Sequence, residues 1–254
     1  MIPVAILCGG KGTRIVRGEA DTPKPLVDVG GRPILWHVMA LYAEQGFTSF
    51  VLLTGWRADG VRQAAEAFDE VRDGRWRVEC LPTGEQTPTG GRVAAAADRL
   101  AGGTFALTYA DGVADIDLAA ELDFHRRHGG AATIAVVRPR SPWGKATLGE
   151  NGQIDGFVEK PRLDHWINGG FMFVEPRALD MIGADEVLER EPLERLAVAG
   201  ELFGFRHEGF WDCMDTFKDA LVLNELCVDG APPWLGFNAG ASAVGVETSK
   251  AGVS

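Results

Sequence analysis

The sequence predicts an α/β fold built on a mixed, mainly parallel sheet with helices on both faces. In the first half of the chain, short apolar or β-branched runs alternate with helix-like segments, and strands are expected at residues 4–7, 50–54, 76–80 and 104–109. Strands that alternate with helices pair in parallel and are covered on both faces. Ligands of such sheets bind beyond the carboxyl ends of the strands.

Helices are expected in the gaps between these strands. Pro33 suits the first position of a helix over residues 34–45, because its fixed φ angle matches helical backbone. An alanine-rich helix is expected over residues 93–100. Asp117 is a candidate N-cap for a further helix that ends near Gly129.

The second half of the chain departs from this alternation. Strand-like runs at residues 131–138, 153–159 and 171–174 are interrupted by Pro, Gly and Asn, which predicts a mixed-sheet extension. No linker divides the chain, so we expect a single domain over residues 1–234. Residues 235–254 are rich in Gly, Ala, Ser and Val without periodicity, which is typical of a flexible tail.

The amino-acid composition limits the kinds of partner that the protein is expected to bind. The 254 residues carry a formal net charge of −11, whereas nucleic-acid binding relies on clustered Lys and Arg, so no nucleic-acid partner is expected. No apolar run approaches the length of a membrane span, and the N-terminus lacks a signal-peptide pattern. We therefore expect a cytoplasmic protein without a membrane partner.

Cysteines and histidines do not form a recognisable metal or disulfide pattern. Cys8, Cys80, Cys213 and Cys227 are widely scattered and include no C-x-x-C pair. The histidines at residues 125–128 have helical spacing, but a solvated helix face is expected for them in preference to a metal.

The most informative segment is CGGKGTR at residues 8–14, directly after the first predicted strand. Glycines allow the backbone to approach a ligand closely, so that several amide groups can point at one phosphate. Arg14 and Lys24, the latter between two prolines, supply positive charge, and a nucleoside triphosphate is the expected ligand. Ile15 replaces the third glycine of a dinucleotide fingerprint, and the Walker pattern is absent. A simple strand-to-helix turn is the alternative.

Two carboxylates are candidates for a magnesium site. Asp111 follows the predicted strand at residues 104–109, on the side where ligands are expected. Asp215 precedes the last helix-like segment. Beside a triphosphate, two carboxylates are what Mg²⁺ requires. The alternatives are structural: Asp111 as a turn former, and Asp215 as a helix cap.

Two further positions suit a second, smaller ligand. Lys160 stands before a proline at the end of a predicted strand, where it can hold a phosphate, or be an ordinary solvated lysine. Asn168 and Gly169 precede the strand at residues 171–174 and suit hydrogen bonds to a polyhydroxylated ligand. A plain β-turn or bulge is the alternative there.

These motifs, in this order, resemble a known family. The chain is similar to bacterial sugar-1-phosphate nucleotidylyltransferases, and among them to the glucose-1-phosphate cytidylyltransferases, from residue 3 to about residue 234. The resemblance rests on the following stretches: CGGKGTR, PKPLVDVGGRPILWHVM, TGGR, YADGVADID, FVEKP, INGGF and REPLERLAVAGELFGFRHEGFWDCMDT. It implies a Rossmann-like, GT-A-like nucleotidyltransferase fold with a small C-terminal extension.

The resemblance also implies roles for individual positions. The nucleotide-binding positions would be Leu7, Gly9, Gly10, Gly12, Thr13, Arg14, Lys24, Thr87, Gly91, Arg92 and Ala110. Of these, Arg14 and Lys24 would act catalytically by neutralising charge. The sugar-phosphate positions would be Lys145, Glu159, Lys160, Asn168 and Gly169. Asp111 and Asp215 would be the magnesium ligands. The family usually has glycine where this chain has Ala110.

The activity that the resemblance implies is formation of a CDP-sugar and pyrophosphate from CTP and a sugar 1-phosphate, with glucose 1-phosphate favoured, Mg²⁺ as cofactor and a homo-oligomeric enzyme. Another triphosphate (UTP, dTTP, GTP or ATP) and another sugar or cyclitol 1-phosphate are alternatives. A catalytically silent nucleotide-binding module is a second class of function. A nicotinamide-dependent oxidoreductase is disfavoured by the missing third glycine.

Overall fold

The computed structural model describes residues 1–10, 22–228, 230 and 232–236. Its α-helices are α1 (Ile34–Glu44), α2 (Ala58–Glu66), α3 (Asp69–Arg72), α4 (Thr89–Ala95), α5 (Ala97–Leu100), α6 (Leu118–His128), α7 (Glu191–Val198) and α8 (Phe217–Cys227). Its strands are β1 (Val4–Cys8), β2 (Asp28–Val29), β3 (Arg32–Pro33), β4 (Ser49–Thr54), β5 (Arg77–Pro82), β6 (Phe105–Tyr109), β7 (Gly112–Ala114), β8 (Ala132–Val137), β9 (Lys145–Leu148), β10 (Ile154–Val158), β11 (Ile167–Val174), β12 (Leu202–Arg206) and β13 (Trp211–Cys213). Short 3-10 helices lie at Lys24–Leu26 and Pro176–Met181.

A seven-stranded sheet in the order β12-β8-β11-β6-β1-β4-β5 forms the centre of the fold. Only β11 runs against its neighbours in this sheet, pairing antiparallel with both β6 and β8. The predicted mixed, mainly parallel sheet is therefore confirmed. The strand expected at residues 153–159 instead pairs with β9 as a separate hairpin, and β13 pairs with β7.

Burial along β1 shows that both faces of the sheet are covered. Val4 and Ile6 belong to one apolar cluster and Ala5 and Leu7 to another, and all four are buried. Successive side chains of a strand point to opposite faces, so a strand buried throughout requires helices on each side. This is why residues 4–7 read as a continuous apolar run rather than an alternating one.

The helix predictions hold in two places and fail in one. Helix α1 begins at Ile34, with Pro33 as its N-cap residue rather than its first helical residue, and Asp117 caps α6 by accepting a 2.8 Å hydrogen bond from the backbone N–H of Ala120. The helix expected at residues 93–100 instead begins at Thr89 and is broken at Ala96. Glycines disfavour helices, so Gly90 and Gly91 concealed its first turn.

The expectation of a solvated face for the histidines was wrong. His125 is 1% exposed, and its ring nitrogens lie 2.8 Å from Thr133 Oγ1 and 3.0 Å from Glu175 Oε1. His128 lies 2.7 Å from the same threonine oxygen. The two rings connect α6 to β8 and to the end of β11, so they are structural.

Strand β11 contains the INGGF motif within its length rather than before it. Its pairing with β8 shifts register between Asn168 and Met172, and Gly170 has φ +83. The side chain of Asn168 accepts a 2.8 Å hydrogen bond from the backbone N–H of Gly170. The motif is therefore a β-bulge, which was the structural alternative, and it places Asn168 at the start of the strand, near the carboxyl end of β6.

Near the C-terminus, Trp234 is 2% exposed and its indole N–H donates to His37 Nδ1 at 3.1 Å. Trp234 is thus anchored in the core. Of the tail expected at residues 235–254, positions 237–254 lie outside the described residues.

Candidate active site

A cavity of about 300 Å³ opens beyond the carboxyl ends of β1 and β6. It is lined by Leu7, Cys8, Gly9, Gly10, Lys24, Pro25, Thr89, Arg92, Tyr109, Ala110, Asp111 and Asp215. The nucleotide and metal positions that the sequence predicted and that lie here are Leu7, Gly9, Gly10, Lys24, Arg92, Ala110, Asp111 and Asp215. Gly12, Thr13 and Arg14 are outside the described residues.

Lys24 and the two candidate metal ligands meet in this cavity. The ammonium group of Lys24 forms an ion pair with Asp111 and lies 2.6 Å from Oδ1 of Asp215. Asp111 follows β6, and Asp215 lies just before α8. Lys24 itself begins a 3-10 helix between two prolines, whose fixed φ angles restrict the direction of its side chain. Three distant segments therefore bring their charges to one point.

The alternative that Asp215 caps α8 is wrong. Thr216 is the N-cap residue: its side chain accepts a hydrogen bond from the backbone N–H of Asp219, whose own side chain accepts one in return. This capping box satisfies the helix terminus without Asp215. The carboxylate of Asp215 is thus directed at Lys24.

The charges of the site perturb one another. Burial lowers the pKa of Lys24, but the charges and hydrogen bonds of Asp111 and Asp215 outweigh it and leave that pKa above its ordinary value. Burial raises the pKa of Asp111, Lys24 opposes the rise, and Asp215 adds to it, with a net increase. A cation beside Asp111 would oppose this increase in its pKa.

Arg92 is buried and connects the loops around the cavity. Its guanidinium donates to the backbone carbonyl oxygens of Gly9 at 3.2 Å, Gly84 at 2.8 Å and Thr54 at 3.1 Å, and to Thr83 Oγ1 at 2.6 Å. A Cβ atom at Gly9 would lie 2.0 Å from Arg92 Cζ, so only glycine fits beside this side chain. Arg92 therefore holds the first glycine of the CGGKGTR segment in place.

The other two predicted positions of the TGGR region lie outside the cavity lining. The hydroxyl group of Thr87 donates to the carbonyl of Thr83 at 2.5 Å and closes a turn. Gly91 packs against the segment before α7, because a Cβ atom there would lie 2.0 Å from the carbonyl oxygen of Ala184. Both positions support the loop that carries Arg92.

Sequence reasoning missed a hydrogen-bonded group on the cavity wall. The side chain of Glu189 accepts hydrogen bonds from Tyr109 Oη at 2.5 Å and from Thr89 Oγ1 at 2.6 Å. Burial, and then the nearby charge of Glu189, raise the pKa of Tyr109, which keeps the phenol protonated. Glu189 directly precedes the REPLERL stretch, but nothing in the sequence connected it to Tyr109.

The predicted sugar-phosphate positions lie outside the lining of this cavity. Lys145 and Lys160 are exposed beside the β9–β10 hairpin, where Lys145 forms a 3.0 Å ion pair with Asp164 and Lys160 has φ +46. Glu159 is also exposed there. Asn168 belongs to the same bulge as Gly170, where a Cβ atom would lie 2.8 Å from Tyr109 Cδ2, so this bulge borders the cavity wall.

A residue of strand β13 fixes the carbonyl group of Gly169, which lies in the same bulge. The indole N–H of Trp211 donates to its carbonyl oxygen at 2.7 Å. A Cβ atom at Gly169 would lie 2.9 Å from the carbonyl oxygen of Ala135, so the bulge also requires a glycine there. Strand β13, which contains Trp211, thereby connects the bulge to the segment that leads to Asp215.

Comparison with known proteins decides the family. A model of the nucleotidyl transferase family matches residues 4–203, which include every residue of the cavity lining except Asp215 and most of the central sheet. The chain belongs to the nucleotidyl transferase family. The fold agrees: the crystal structure of HddC from Yersinia pseudotuberculosis superposes with a TM-score of 0.71 at 22% identity, over 89% of this chain and 99% of that one.

Two curated relatives extend over nearly the whole length of this nucleotidyl transferase. The glucose-1-phosphate cytidylyltransferase of Salmonella typhi is 38% identical over 90% of this chain and 97% of its own. The probable glucose-1-phosphate cytidylyltransferase of Bacillus subtilis (strain 168) is 37% identical with the same coverage. None of the helices described for this nucleotidyl transferase has the length and apolar character needed to cross a bilayer.

The residues of this nucleotidyl transferase fit a magnesium ion. Among the described residues, no three or more His, Cys, Asp or Glu side chains form a metal-binding group. Mg²⁺ does not need such a group, since one or two carboxylates with waters and substrate phosphates commonly hold it. The convergence of Asp111 and Asp215 on a single point at the cavity meets this requirement.

Proposed function

We propose that this nucleotidyl transferase forms CDP-glucose and pyrophosphate from CTP and glucose 1-phosphate. The observation that carries the proposal is the convergence of Lys24, Asp111 and Asp215 in a cavity lined by Gly9 and Gly10. The choice of substrates rests on the relatives named glucose-1-phosphate cytidylyltransferase.

In this reaction, an oxygen of the sugar phosphate forms a bond to the α-phosphorus of CTP. The bond from that phosphorus to the bridging oxygen breaks, and pyrophosphate leaves with the electron pair. The attacking oxygen is already anionic at neutral pH, so no side chain has to act as nucleophile or base. The protein contributes positioning and charge neutralisation.

The described residues divide this work. Gly9 and Gly10 allow the backbone to approach the triphosphate, and Arg92 fixes Gly9 through its carbonyl oxygen. Lys24 brings positive charge to the reacting phosphate. Asp111 and Asp215 would hold Mg²⁺, which when bound supplies further positive charge to the triphosphate. Leu7 and Ala110 also line the cavity.

The roles of the other predicted positions are proposed from the resemblance to the family. Gly12, Thr13 and Arg14 would extend the triphosphate cradle, and Thr87 and Gly91 would support the nucleotide loop. Lys160 would bind the phosphate of the sugar substrate, with Lys145, Glu159, Asn168 and Gly169 around the sugar. The close approach of the bulge to Tyr109 supports this placement, since a Cβ atom at Gly170 would lie 2.8 Å from Tyr109 Cδ2 and the sugar positions thus border the nucleotide cavity.

Pyrophosphate release with Mg²⁺ tests the proposal. Each of the five nucleoside triphosphates is combined with a panel of sugar and cyclitol 1-phosphates that carry no second acidic group, and within this panel we expect the highest kcat/KM for CTP with glucose 1-phosphate. Highest activity with another pair would overturn the substrate assignment alone. No turnover in any combination would favour a silent nucleotide-binding module.

A further inference from the structure

A second cavity, of about 310 Å³, opens at the same edge of the sheet as the nucleotide cavity. It lies beyond the carboxyl ends of β8 and β12, and Arg138, Arg140 and Arg162 contribute to its lining. Strands β8 and β6 both pair antiparallel with β11, so they run in the same direction and end at the same edge. We refer to this second cavity as the arginine pocket. It concentrates positive charge in a chain of net charge −11.

Two of these arginines are placed directly opposite each other. Arg140 and Arg162 form an antiparallel bridge, flanked by hydrogen bonds from the backbone N–H of Ser141 to Pro161 O at 2.8 Å and of Leu163 to Pro139 O at 2.9 Å. The Cβ atoms of directly opposed residues lie about 4.5–5.5 Å apart, and like charges at such positions are destabilising. The backbone therefore places two like charges at opposed positions in the lining of the pocket.

The surrounding protein neutralises this charge only in part. Glu208 lies 3.2 Å from Arg138 Nη2 and 3.9 Å from Arg162 Nη1. Within the described part of the chain, Arg140 has no ion pair with a carboxylate, and its Nη1 donates to the carbonyl oxygen of Lys160 at 3.3 Å. The Nε atom of Arg138 is buried without a hydrogen-bond partner among the described residues.

One carboxylate lines the arginine pocket itself, and it is already engaged. Asp212 accepts a 2.8 Å hydrogen bond from the backbone N–H of Cys213, and burial raises the pKa of this carboxyl group. Several guanidinium N–H groups thus remain available around a cavity of ligand size. Arginine is suited to planar, bidentate contacts with phosphate and carboxylate groups.

The position of the pocket indicates where its ligand comes from. In the sheet order, β11 separates β8 and β12 from β6 and β1, so Asn168 and Gly169 stand between the arginine pocket and the nucleotide cavity. Trp211, which lines the arginine pocket, donates to the carbonyl oxygen of Gly169. A ligand at the bulge would therefore border both cavities.

We propose that the arginine pocket binds a second oxyanion, a phosphate or carboxylate group carried by the sugar-phosphate substrate. This inference rests on the proposed function, because that function places the sugar at Asn168 and Gly169. It goes further by giving the sugar a second acidic group. An anion that is free in solution presents the same chemistry, and the experiment separates the two sources.

Binding of inorganic phosphate tests the pocket independently of catalysis. Thermal unfolding is followed at rising phosphate concentration and constant ionic strength for the wild type, Arg140→Gln/Arg162→Gln, and the charge-matched control Arg72→Gln/Arg75→Gln near β5. We expect phosphate to raise the Tm of the wild type and the control, with apparent affinity at least about tenfold weaker in Arg140→Gln/Arg162→Gln. Equal phosphate responses in all three would overturn the proposal.

Folding of the double variant is checked without phosphate. Because the substitution removes a repulsive pair, we expect its Tm to equal or exceed that of the wild type. If the double variant fails to fold, the single variant Arg140→Gln replaces it, since the described contact of that side chain is one carbonyl oxygen. The apparent phosphate affinity of Arg140→Gln must then be at least about tenfold weaker than that of the wild type.

Kinetics identify the source of the anion. Glucose 1-phosphate is compared with glucose 1,6-bisphosphate and glucuronic acid 1-phosphate, with CTP and Mg²⁺. We expect a lower KM for at least one doubly acidic sugar, rising about tenfold in Arg140→Gln/Arg162→Gln, while the KM for glucose 1-phosphate stays unchanged. Phosphate binding without this preference would overturn the substrate assignment in favour of a free anion. Absence of all turnover would refute the proposed function and leave the phosphate result intact.

Discussion

The ammonium group of Lys24 lies 2.6 Å from Oδ1 of Asp215 and also forms an ion pair with Asp111. Its side chain is 16% exposed, so this charge is largely withdrawn from solvent. Burial raises the pKa of Asp111, and the negative charge of Asp215 adds to that rise. A divalent cation at the same point would oppose the increase.

Replacing Lys24 by methionine should make stability depend on magnesium. Without the ammonium group, Asp111 and Asp215 lose the ion-pair partner that they share, and we expect Lys24→Met to lose about 1–3 kcal/mol of unfolding free energy in the absence of Mg²⁺. Thermal unfolding with and without MgCl₂ measures the effect, and Mg²⁺ should recover most of the loss. Lys218→Met, an exposed lysine on α8, is the control. A magnesium response identical to that of the control would contradict the prediction.

Arg92 should act through geometry as well as charge. Arg92→Lys keeps the positive charge, but a lysine ammonium cannot replace the forked guanidinium group that donates to the carbonyl oxygens of both Gly9 and Gly84. We expect a stability loss of about 2–4 kcal/mol and a higher KM for CTP, since the loop at Gly9 loses its support. Chemical denaturation and steady-state kinetics measure the two effects. Arg99→Lys, at an exposed ion pair, is the control, and an unchanged KM in Arg92→Lys would refute the positioning role.

Lys160 should affect the sugar phosphate rather than the nucleotide. We expect Lys160→Ala to raise the KM for glucose 1-phosphate about tenfold or more, with the KM for CTP nearly unchanged. Because Lys160 has φ +46, Lys160→Gly should be at least as stable as Lys160→Ala while showing the same rise in KM. Unequal KM values in the two variants would show that backbone conformation, not the lost ammonium group, causes the effect.

Glu121 predicts a specific pH dependence of stability. Its carboxyl group is fully buried in α6, and burial raises its pKa well above the ordinary value. Between the unfolded and the folded pKa, the unfolded state releases the proton that the folded state keeps, so stability falls as pH rises through this window. Glu121→Gln should remove that fall.

The measurement for Glu121 is Tm against pH. We expect Glu121→Gln to exceed the wild type near neutral pH and to approach it near pH 4, where the carboxyl group is protonated in both states. A gain of 1 kcal/mol corresponds to roughly 2–4 °C for a chain of this size. Glu66→Gln, at an exposed helix position, is the control. An advantage that does not vary with pH would contradict the assignment to Glu121 ionisation.

Sequence patterns predicted a structural element correctly where the interactions that form it are between neighbouring residues. The apolar run at residues 4–7 predicted β1, and Asp117 predicted the start of α6, because strand burial and helix capping depend on neighbouring residues. Helix α4 was misplaced because Gly90 and Gly91 are helical against their propensity. Gly91 is required by contact with the distant residue Ala184.

The same difference between local and long-range interactions applies to the candidate site. Lys24 and Asp111 could be predicted, since a charged residue after a strand or between prolines has a definite position. Two hydrogen bonds of the site could not be predicted: the one from Arg92 to Gly9 and the one from Tyr109 to Glu189. Each joins segments that are 80 or more residues apart in the sequence. Motif order showed that these segments belong together, but not which atoms meet.

Pyrophosphate release by Asp215→Asn tests the account most directly. If Asp111 and Asp215 hold the cation, removing one carboxylate charge should lower kcat by about 10²-fold or more with CTP and glucose 1-phosphate, and should raise the Mg²⁺ concentration needed for half-maximal rate. Asp123→Asn, an exposed carboxylate on α6, controls for the charge change. Asp215→Asn with the rate and Mg²⁺ dependence of the wild type would contradict the central claim.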